Sequence, residues 1–454
     1  MAAYTSFEER SMIEDYIIVK HSPRLQGTVE LVGAKNAVLV IIASLLLTDG
    51  KSFLSNVPIS DDVWQMIALL RDLGAEVTFD IERHTLEVDT RFVAKYSVRA
   101  EIMKKMRASV LVMGPLLARF GRADIAMPGG CVIGARPIDY HLAGFQKMGA
   151  EIATEGEYLS AHANALHATK IILEYPSVGA TENLLMAATL TSGTTRIVNV
   201  ALEPEVLDLI TILQKMGAHI VIEPPATLLV EGVAQLYPVE HAVMYDRLEA
   251  GSLLLAVAIT GGEINLPHAP AYAMEMFLIK LVEMGHKVNI GANDIGVSLR
   301  ATQSPRAVSF KTAPYPGFPT DLQAPMLAAQ CIAEGTSVIY ETVYENRLVH
   351  ISELQRMGAQ IKVEYNKATV MGVETLYGSS VIATDIRASC ALVLAGLAAK
   401  GTTRMSGVHH LARGYEQLPK KLQQLGARIY YKKGIFAADF KSKEQFSRDS
   451  RKSA

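Results

Sequence analysis

The segment MPGGCVIGARPIDYH, residues 127–141, concentrates features that covalent or acid–base chemistry needs. Gly129, Gly130 and Gly134 flank a single Cys131, and Arg136 follows. Glycine lets a backbone approach a ligand closely and change conformation. A thiol near a fixed cation ionises more easily and reacts more readily. Arg136 is a candidate for that cation and for a bidentate clamp on phosphate. The same residues also fit a Gly-rich turn around a buried, inert Cys.

Other cations and acids stand where helices start. GAKN places Gly33, Lys35 and Asn36 at a strand-to-helix junction. Backbone N–H groups at such a start favour anions, and a Lys adds charge. MRAS at Arg107 and DIRAS at Asp385 and Arg387 resemble each other, and both open Ala-rich helical stretches. Asp321 follows GFPT, a rigid turn that would hold a carboxylate at a helix start, and Asp246 precedes RLEAGS. Glu345-Asn346-Arg347 and Arg413-Gly414-Tyr415-Glu416 are polar clusters between apolar runs. Helix capping accounts for each acid singly. Together, Lys35, Arg107, Arg136, Arg387 and Arg413 suit a substrate with several phosphate and carboxylate charges.

These residues sit on a repeated scaffold. LRDLGAEV, FQKMGAEI, LQKMGAHI, LVEMGHKV, LQRMGAQI and LQQLGARI carry Gly74, Gly149, Gly217, Gly285, Gly358 and Gly426. The interval is about 70 residues. Apolar residues at helical spacing lead to a Gly that closes the helix, and a β-branched run follows as a strand. A second phrase interleaves: TDGKS, RFGRA, TSGTT, TGGEI, AEGTS and AKGTT, each after an Ala/Leu-rich helix. Those helices are apolar nearly all round, so they are expected inside their domain. Six α/β units of two helices each result, and a solenoid is disfavoured because no terminal unit looks like a polar cap.

Bulk properties narrow the function. The chain has 454 residues, half of them hydrophobic, and a formal net charge of -2. Two or three domains are expected, and no global field recruits nucleic acid or anionic membrane. The three cysteines, Cys131, Cys331 and Cys390, form no CxxC pair. That argues against a disulfide framework or a zinc site and for a reducing, cytoplasmic compartment. The first residues carry acids where a signal peptide needs bases, and the longest apolar stretch, 37–47, is too short to span a bilayer.

The motifs GAKNA, MRAS, GGCVIGARPIDYH, SVGATEN, DRLEAGS, GFPTDLQAP, ETVYENR, TDIRAS and RGYE run in one order along the chain. In that order and spacing the chain resembles the enolpyruvyl transferases, in the branch that acts on UDP-N-acetylglucosamine. The resemblance implies a two-domain inside-out α/β barrel of six βαβαββ units, three per domain. It places residues 35–244 in one domain and 1–34 with 245–440 in the other. The polar tail, 441–454, stands outside both. Lys35, Asn36, Arg136, Arg387 and Arg413 would hold phosphoenolpyruvate. Arg107, Arg136, Pro137, Ile138, Asp139, Tyr140, Tyr175, Pro176, Ser177, Val178, Asp321 and Val343 would hold the UDP-sugar.

The resemblance also implies catalytic roles. Cys131 would be the general acid that protonates the methylene carbon, Asp321 the base for the sugar 3-hydroxyl, and Lys35 and Arg413 would act on the phosphate. Fosfomycin would alkylate Cys131. No cofactor, metal, nucleic acid or membrane insertion is implied, and a monomer is expected. Ala412 stands where the family often has an acid, and Tyr175 and Pro176 depart from its common residues. The rival readings are a shikimate-phosphate enolpyruvyltransferase and a catalytically silent UDP-sugar-binding paralogue.

Overall fold

The computed structural model describes residues 15–103, 106–126, 138–156 and 158–434. Two hydrophobic cores organise them. One draws its buried residues from between Ala34 and Val243; the other draws them from between Ile17 and Leu31 and between Leu248 and Ile429. The described chain therefore runs from the second core into the first and back again. Its two crossings lie side by side, joined by an antiparallel bridge between Gly33 and Tyr245. A Cβ on Gly33 would stand 1.8 Å from the Asn56 carbonyl oxygen, so only glycine fits this crossing.

Among the described residues, each core holds three buried helices. They are α1 (Lys35–Ser44), α2 (Met113–Phe120), α3 (Val178–Ala188), α4 (Arg247–Thr260), α5 (Gln323–Gln330) and α6 (Ile386–Ala398). In α1 every residue from Ala37 to Ser44 is buried, and in α4 every residue from Arg247 to Ile259. A helix apolar on all sides has no solvent face to offer, so it packs inside.

A second helix in each unit is amphipathic. Asp61–Leu73 shows why: the Ser60 side chain accepts from Val63 N, Asp61 and Asp62 fill the first turn, and Val63, Met66, Ile67 and Leu70 form the buried stripe. Gly74 then closes the helix at φ +109°. The other five repeat glycines take the same left-handed conformation, between +93° and +105°. The helix–Gly–strand phrase read in the sequence is thus present in all six units.

Sheets cover these helices. Five have four strands and one has three among the described residues. The first strand, Tyr16–Lys20, lies antiparallel between Thr402–Ser406 and Ile429–Lys432, with Ile17 opposite Met405 and Tyr431. Gln26–Thr28 adds in parallel to Glu263–Pro270.

Two details correct the sequence expectation. The sheet of Arg122–Ala126, Glu151–Glu155 and Tyr158–His162 has only a single parallel bridge, Ser97 to Asp124, where a fourth strand is expected. Arg99 draws the chain away there by bonding Asp72 through its backbone N at 3.2 Å and its Nε at 2.8 Å. Arg107 does not open an α-helix either. A 3-10 stretch, Arg107–Val112, precedes α2, because Pro115 cannot donate to the preceding turn and is tolerated only near a helix start. Pro325 imposes the same sequence of a 3-10 turn, Thr320–Leu322, then α5.

One buried polar group makes stability pH-dependent. His286, of the MGHKV phrase, is 3% exposed. Its Nδ1 accepts from Thr302 N, and its buried Nε2 has no partner among the described residues. Burial pushes its pKa down to about 4. A depressed folded-state pKa gives stability that is present above the unfolded value and lost as pH falls through the folded one. The loss attributable to His286 should reach about 2 kcal/mol by pH 5. Thermal melts between pH 7 and 5 should therefore fall less steeply for His286→Asn than for the wild type; equal slopes would place the acid sensitivity elsewhere.

Candidate active site

Four helix starts converge where the two cores meet. Lys35 is the first residue of α1, Asp246 caps α4, Asp385 caps α6, and Asp321 lies in the 3-10 turn before α5. Asp246 accepts from Leu248 N at 2.7 Å, Glu249 N at 3.1 Å and Lys35 N at 3.4 Å, so it ties the first core's α1 to the second core's α4. Asp385 accepts from Arg387 N and Ala388 N. Helix starts expose unpaired N–H groups and partial positive charge, so their convergence favours anions.

Asp321 carries the strongest electrostatics. Arg347 Nη2 donates to its Oδ1 at 2.5 Å, and Arg387 Nη2 approaches its Oδ2 at 3.4 Å. Burial by itself raises the carboxyl pKa, but Arg387, Arg347 and the more distant Lys35 outweigh it and hold the group well below the usual carboxylate range. Asp321 is therefore ionised in the free protein, with one oxygen firmly bonded and the other loosely held.

A second cluster bridges the cores. Asp62, in the first turn of Asp61–Leu73, lies 3.5 Å from Lys35 Nζ and 3.1 Å from Arg413 Nε. Arg413 belongs to the short helix His409–Gly414 of the second core. Next to it, Glu416 accepts from Ile59 N at 2.6 Å and stands 3.7 Å from His84 Nε2. At a further junction, Arg247 forms a two-pronged pair with Glu205 at 2.9 and 3.1 Å, and Tyr315 N donates to Glu203. The two cores are thus fastened to each other by charge at the Asp62–Arg413 contact.

Several of the residues expected from the sequence fall in this region. Lys35, Arg387, Arg413 and Asp321 form the connected set just described, and Asn36 follows Lys35 in α1. Ser177 caps α3 by accepting from Ala180 N. Tyr175 is half-exposed nearby; burial, then Tyr344, Glu203 and Glu341, raise its hydroxyl to about 12. Tyr344 belongs to the second core's side, as does Val343, whose N donates to Glu341. Tyr175 thus lies close to Tyr344 and Glu341 of the second core's side. Ile138 is buried before the helix Asp139–Lys147, where Asp139 is exposed and Tyr140 packs on the first core. Cys131, Arg136 and Pro137, and the side chain of Arg107, lie outside the described residues.

Three participants were not singled out as partners from the sequence. Asp62 reads there as an ordinary acidic helix start. Arg347 is visible only as part of a polar cluster, and Glu205 pairs with an Arg that looks like part of a helix cap. Among the described residues, no group of His, Cys, Asp and Glu is arranged to hold a metal, and no helix is long and apolar enough to cross a membrane.

The thiols give a direct prediction. Cys331 and Cys390 are fully buried, and burial pushes the Cys331 thiol up to about 12 and the Cys390 thiol upward. Both are expected to resist alkylation in the native protein. Iodoacetamide labelling with peptide mapping should find label at Cys131 alone before denaturation and at all three afterwards. Native labelling of Cys331 or Cys390 would contradict the burial argument.

Comparison with known proteins agrees with this architecture. Residues 19–422 match the family model of EPSP synthase (3-phosphoshikimate 1-carboxyvinyltransferase). The chain is 48% identical over 416 residues to UDP-N-acetylglucosamine 1-carboxyvinyltransferase 1 of Caldanaerobacter subterraneus, covering 91% of this chain and 99% of that one. It is 46% identical, with the same coverage, to UDP-N-acetylglucosamine 1-carboxyvinyltransferase of Saccharophagus degradans. Among solved structures, the enolpyruvyl transferase NikO from Streptomyces tendae superposes with a TM-score of 0.84 at 25% identity, over 93% of this chain and all of that one. EPSP synthase from Acinetobacter baumannii superposes with a TM-score of 0.72 at 17% identity, over 92% of this chain and all of that one, a likeness of fold alone. With converging helix starts, paired cations and relatives of this identity, the chain belongs to the enolpyruvyl transferase family, among the UDP-N-acetylglucosamine 1-carboxyvinyltransferases.

Proposed function

We propose that the chain transfers the enolpyruvyl group of phosphoenolpyruvate to the 3-hydroxyl of UDP-N-acetylglucosamine and releases phosphate, the first committed step of peptidoglycan synthesis. The observation that carries the reading is the meeting of Lys35, Arg413 and the doubly clamped Asp321 at one junction, in a chain of this family. In this reading the two cores are the two domains, and the substrates lie between them. Phosphoenolpyruvate is held by Lys35, Asn36, Arg136, Arg387 and Arg413. The UDP-sugar is held by Arg107, the runs 136–140 and 175–178, Asp321 and Val343.

The reaction is an addition followed by an elimination. Cys131 gives a proton to the methylene carbon, whose π electrons form the new C–H bond and leave positive charge on the neighbouring carbon. The sugar 3-oxygen attacks that carbon while its proton passes to Asp321. The new methyl carbon then returns a proton to the Cys131 thiolate left by the first step, the double bond re-forms, and the carbon–oxygen bond breaks as phosphate leaves with its electrons. Developing charge on the phosphate is met by cations and helix starts already in place. An acid and a base at fixed positions are what such charge development requires. The reading carries with it a cytoplasmic location and a monomer.

Phosphate release with phosphoenolpyruvate and each acceptor tests it. Release is expected with UDP-N-acetylglucosamine and not with shikimate 3-phosphate. Turnover with the shikimate acceptor alone would overturn the reading, and nucleotide-sugar binding without turnover would favour a silent paralogue. Fosfomycin should abolish release with its mass added at Cys131, since a strained epoxide reacts with an accessible thiolate.

A further inference from the structure

Tyr415, the third residue of RGYE, is 3% exposed in the second core and belongs to no binding set named above. Its hydroxyl sits in a buried hydrogen-bond cluster. Ser252 Oγ donates to the Leu248 carbonyl at 2.8 Å and lies 2.9 Å from the Tyr415 hydroxyl, and the Cys390 thiol meets both hydroxyls. A guanidinium can only donate, so the Tyr415 oxygen accepts from Arg387 Nη1 at 2.9 Å. The other arm of the same guanidinium, Nη2, reaches Asp321 Oδ2 at only 3.4 Å. Arg387 is thus held short of full contact with Asp321, while Arg347 takes the other oxygen at 2.5 Å.

We propose that Tyr415 is a positioning residue for the reaction: it restrains Arg387, so that Oδ2 of Asp321 stays open to the hydroxyl of the incoming substrate. Without the Tyr415 hydroxyl, Nη1 of a guanidinium only 5% exposed loses its acceptor. A buried donor seeks another partner. Asp246 is already occupied by three N–H donors. Asp321 is the anion that Arg387 already touches, through Nη2 and Oδ2 at 3.4 Å, and a shorter charge-assisted bond to that oxygen is favoured. Arg387 would then close on Oδ2 and cover the oxygen that must take the proton.

Tyr415→Phe keeps the ring and removes only the hydroxyl. It should lower kcat about tenfold, with the KM of both substrates within twofold of wild type. Ser252→Ala should lower kcat in the same direction, and the double variant should lose no more than Tyr415→Phe alone, because both act through one chain. Wild-type kcat in Tyr415→Phe overturns the proposal. So do independent, multiplying losses in the double variant, or a fall in kcat that comes with higher KM values and a lower Tm. The proposal rests on Asp321 as the base. Asp321→Asn, assayed alongside, separates the two: an active Asp321→Asn enzyme removes the base, whereas an inactive one beside a fully active Tyr415→Phe removes only the restraint.

Discussion

Asp321→Asn should lower kcat about a thousandfold while leaving the dissociation constant of UDP-N-acetylglucosamine within a few-fold of wild type. Asparagine keeps the volume and leaves one acceptor oxygen for Arg347, but it cannot take a proton. Arg387 and Arg347 hold Asp321 well below the usual carboxylate range, which makes it ionised and a weak base. Both properties have one cause, the guanidinium groups of Arg347 and Arg387 at 2.5 and 3.4 Å. The substrates bring carboxylate and phosphate charges that compete for those cations. Once the guanidinium groups are shared, the carboxylate's affinity for a proton rises. If Asp321 is the base, as proposed, the charges that the substrates bring would therefore strengthen it. Equilibrium binding of the nucleotide-sugar and pre-steady-state phosphate release measure the two halves separately. Wild-type release in the variant would remove Asp321 from proton transfer, and loss of binding with an unchanged rate at saturation would make it a binding group only.

Much of the scaffold was legible because it depends on local rules. A helix ending at a left-handed glycine and followed by a strand needs only neighbours in sequence, and Gly74, Gly149, Gly217, Gly285, Gly358 and Gly426 all obey it. All-round apolar helices declared their burial in the same way. The 3-10 turns at Arg107 and Thr320 depend on Pro115 and Pro325 a few residues later, so that signal was present but weaker than the Ala-rich pattern around it. The partners of the site residues are a different matter. Asp62 meets Arg413 across 351 positions, and nothing in SDDVW distinguishes an acid that only helps a helix start from one that also faces a cation of another core. Arg347 lies 26 positions from Asp321, in the next turn of the chain's path over the second core. Residue type suggested which groups could do chemistry. Which charges neutralise one another emerged only when two cores were folded against each other.

Arg413→Ala should raise the KM for phosphoenolpyruvate about a hundredfold and leave that for UDP-N-acetylglucosamine nearly unchanged. Arg413 comes from the second core and Lys35 from the first, and in the free protein one carboxylate, Asp62, lies against both. That arrangement is already a site for an anion between two cations, with helix starts adding positive potential. In the proposed assignment a phosphate there would meet Lys35 from one side and Arg413 from the other, so the donor substrate would bridge the two cores. Removing Arg413 deletes half of this grip and a charge that would stabilise the departing phosphate, so kcat should fall as well. A purely mechanical explanation is that the variant loosens the junction by breaking the Asp62 contact. Asp62→Asn breaks the same contact with Arg413 intact, and it should change the phosphoenolpyruvate KM far less. Equal effects in the two variants would assign Arg413 to the junction and not to the phosphate. A large selective effect in Arg413→Ala alone would leave Asp62 as the occupant of a phosphate site awaiting its substrate.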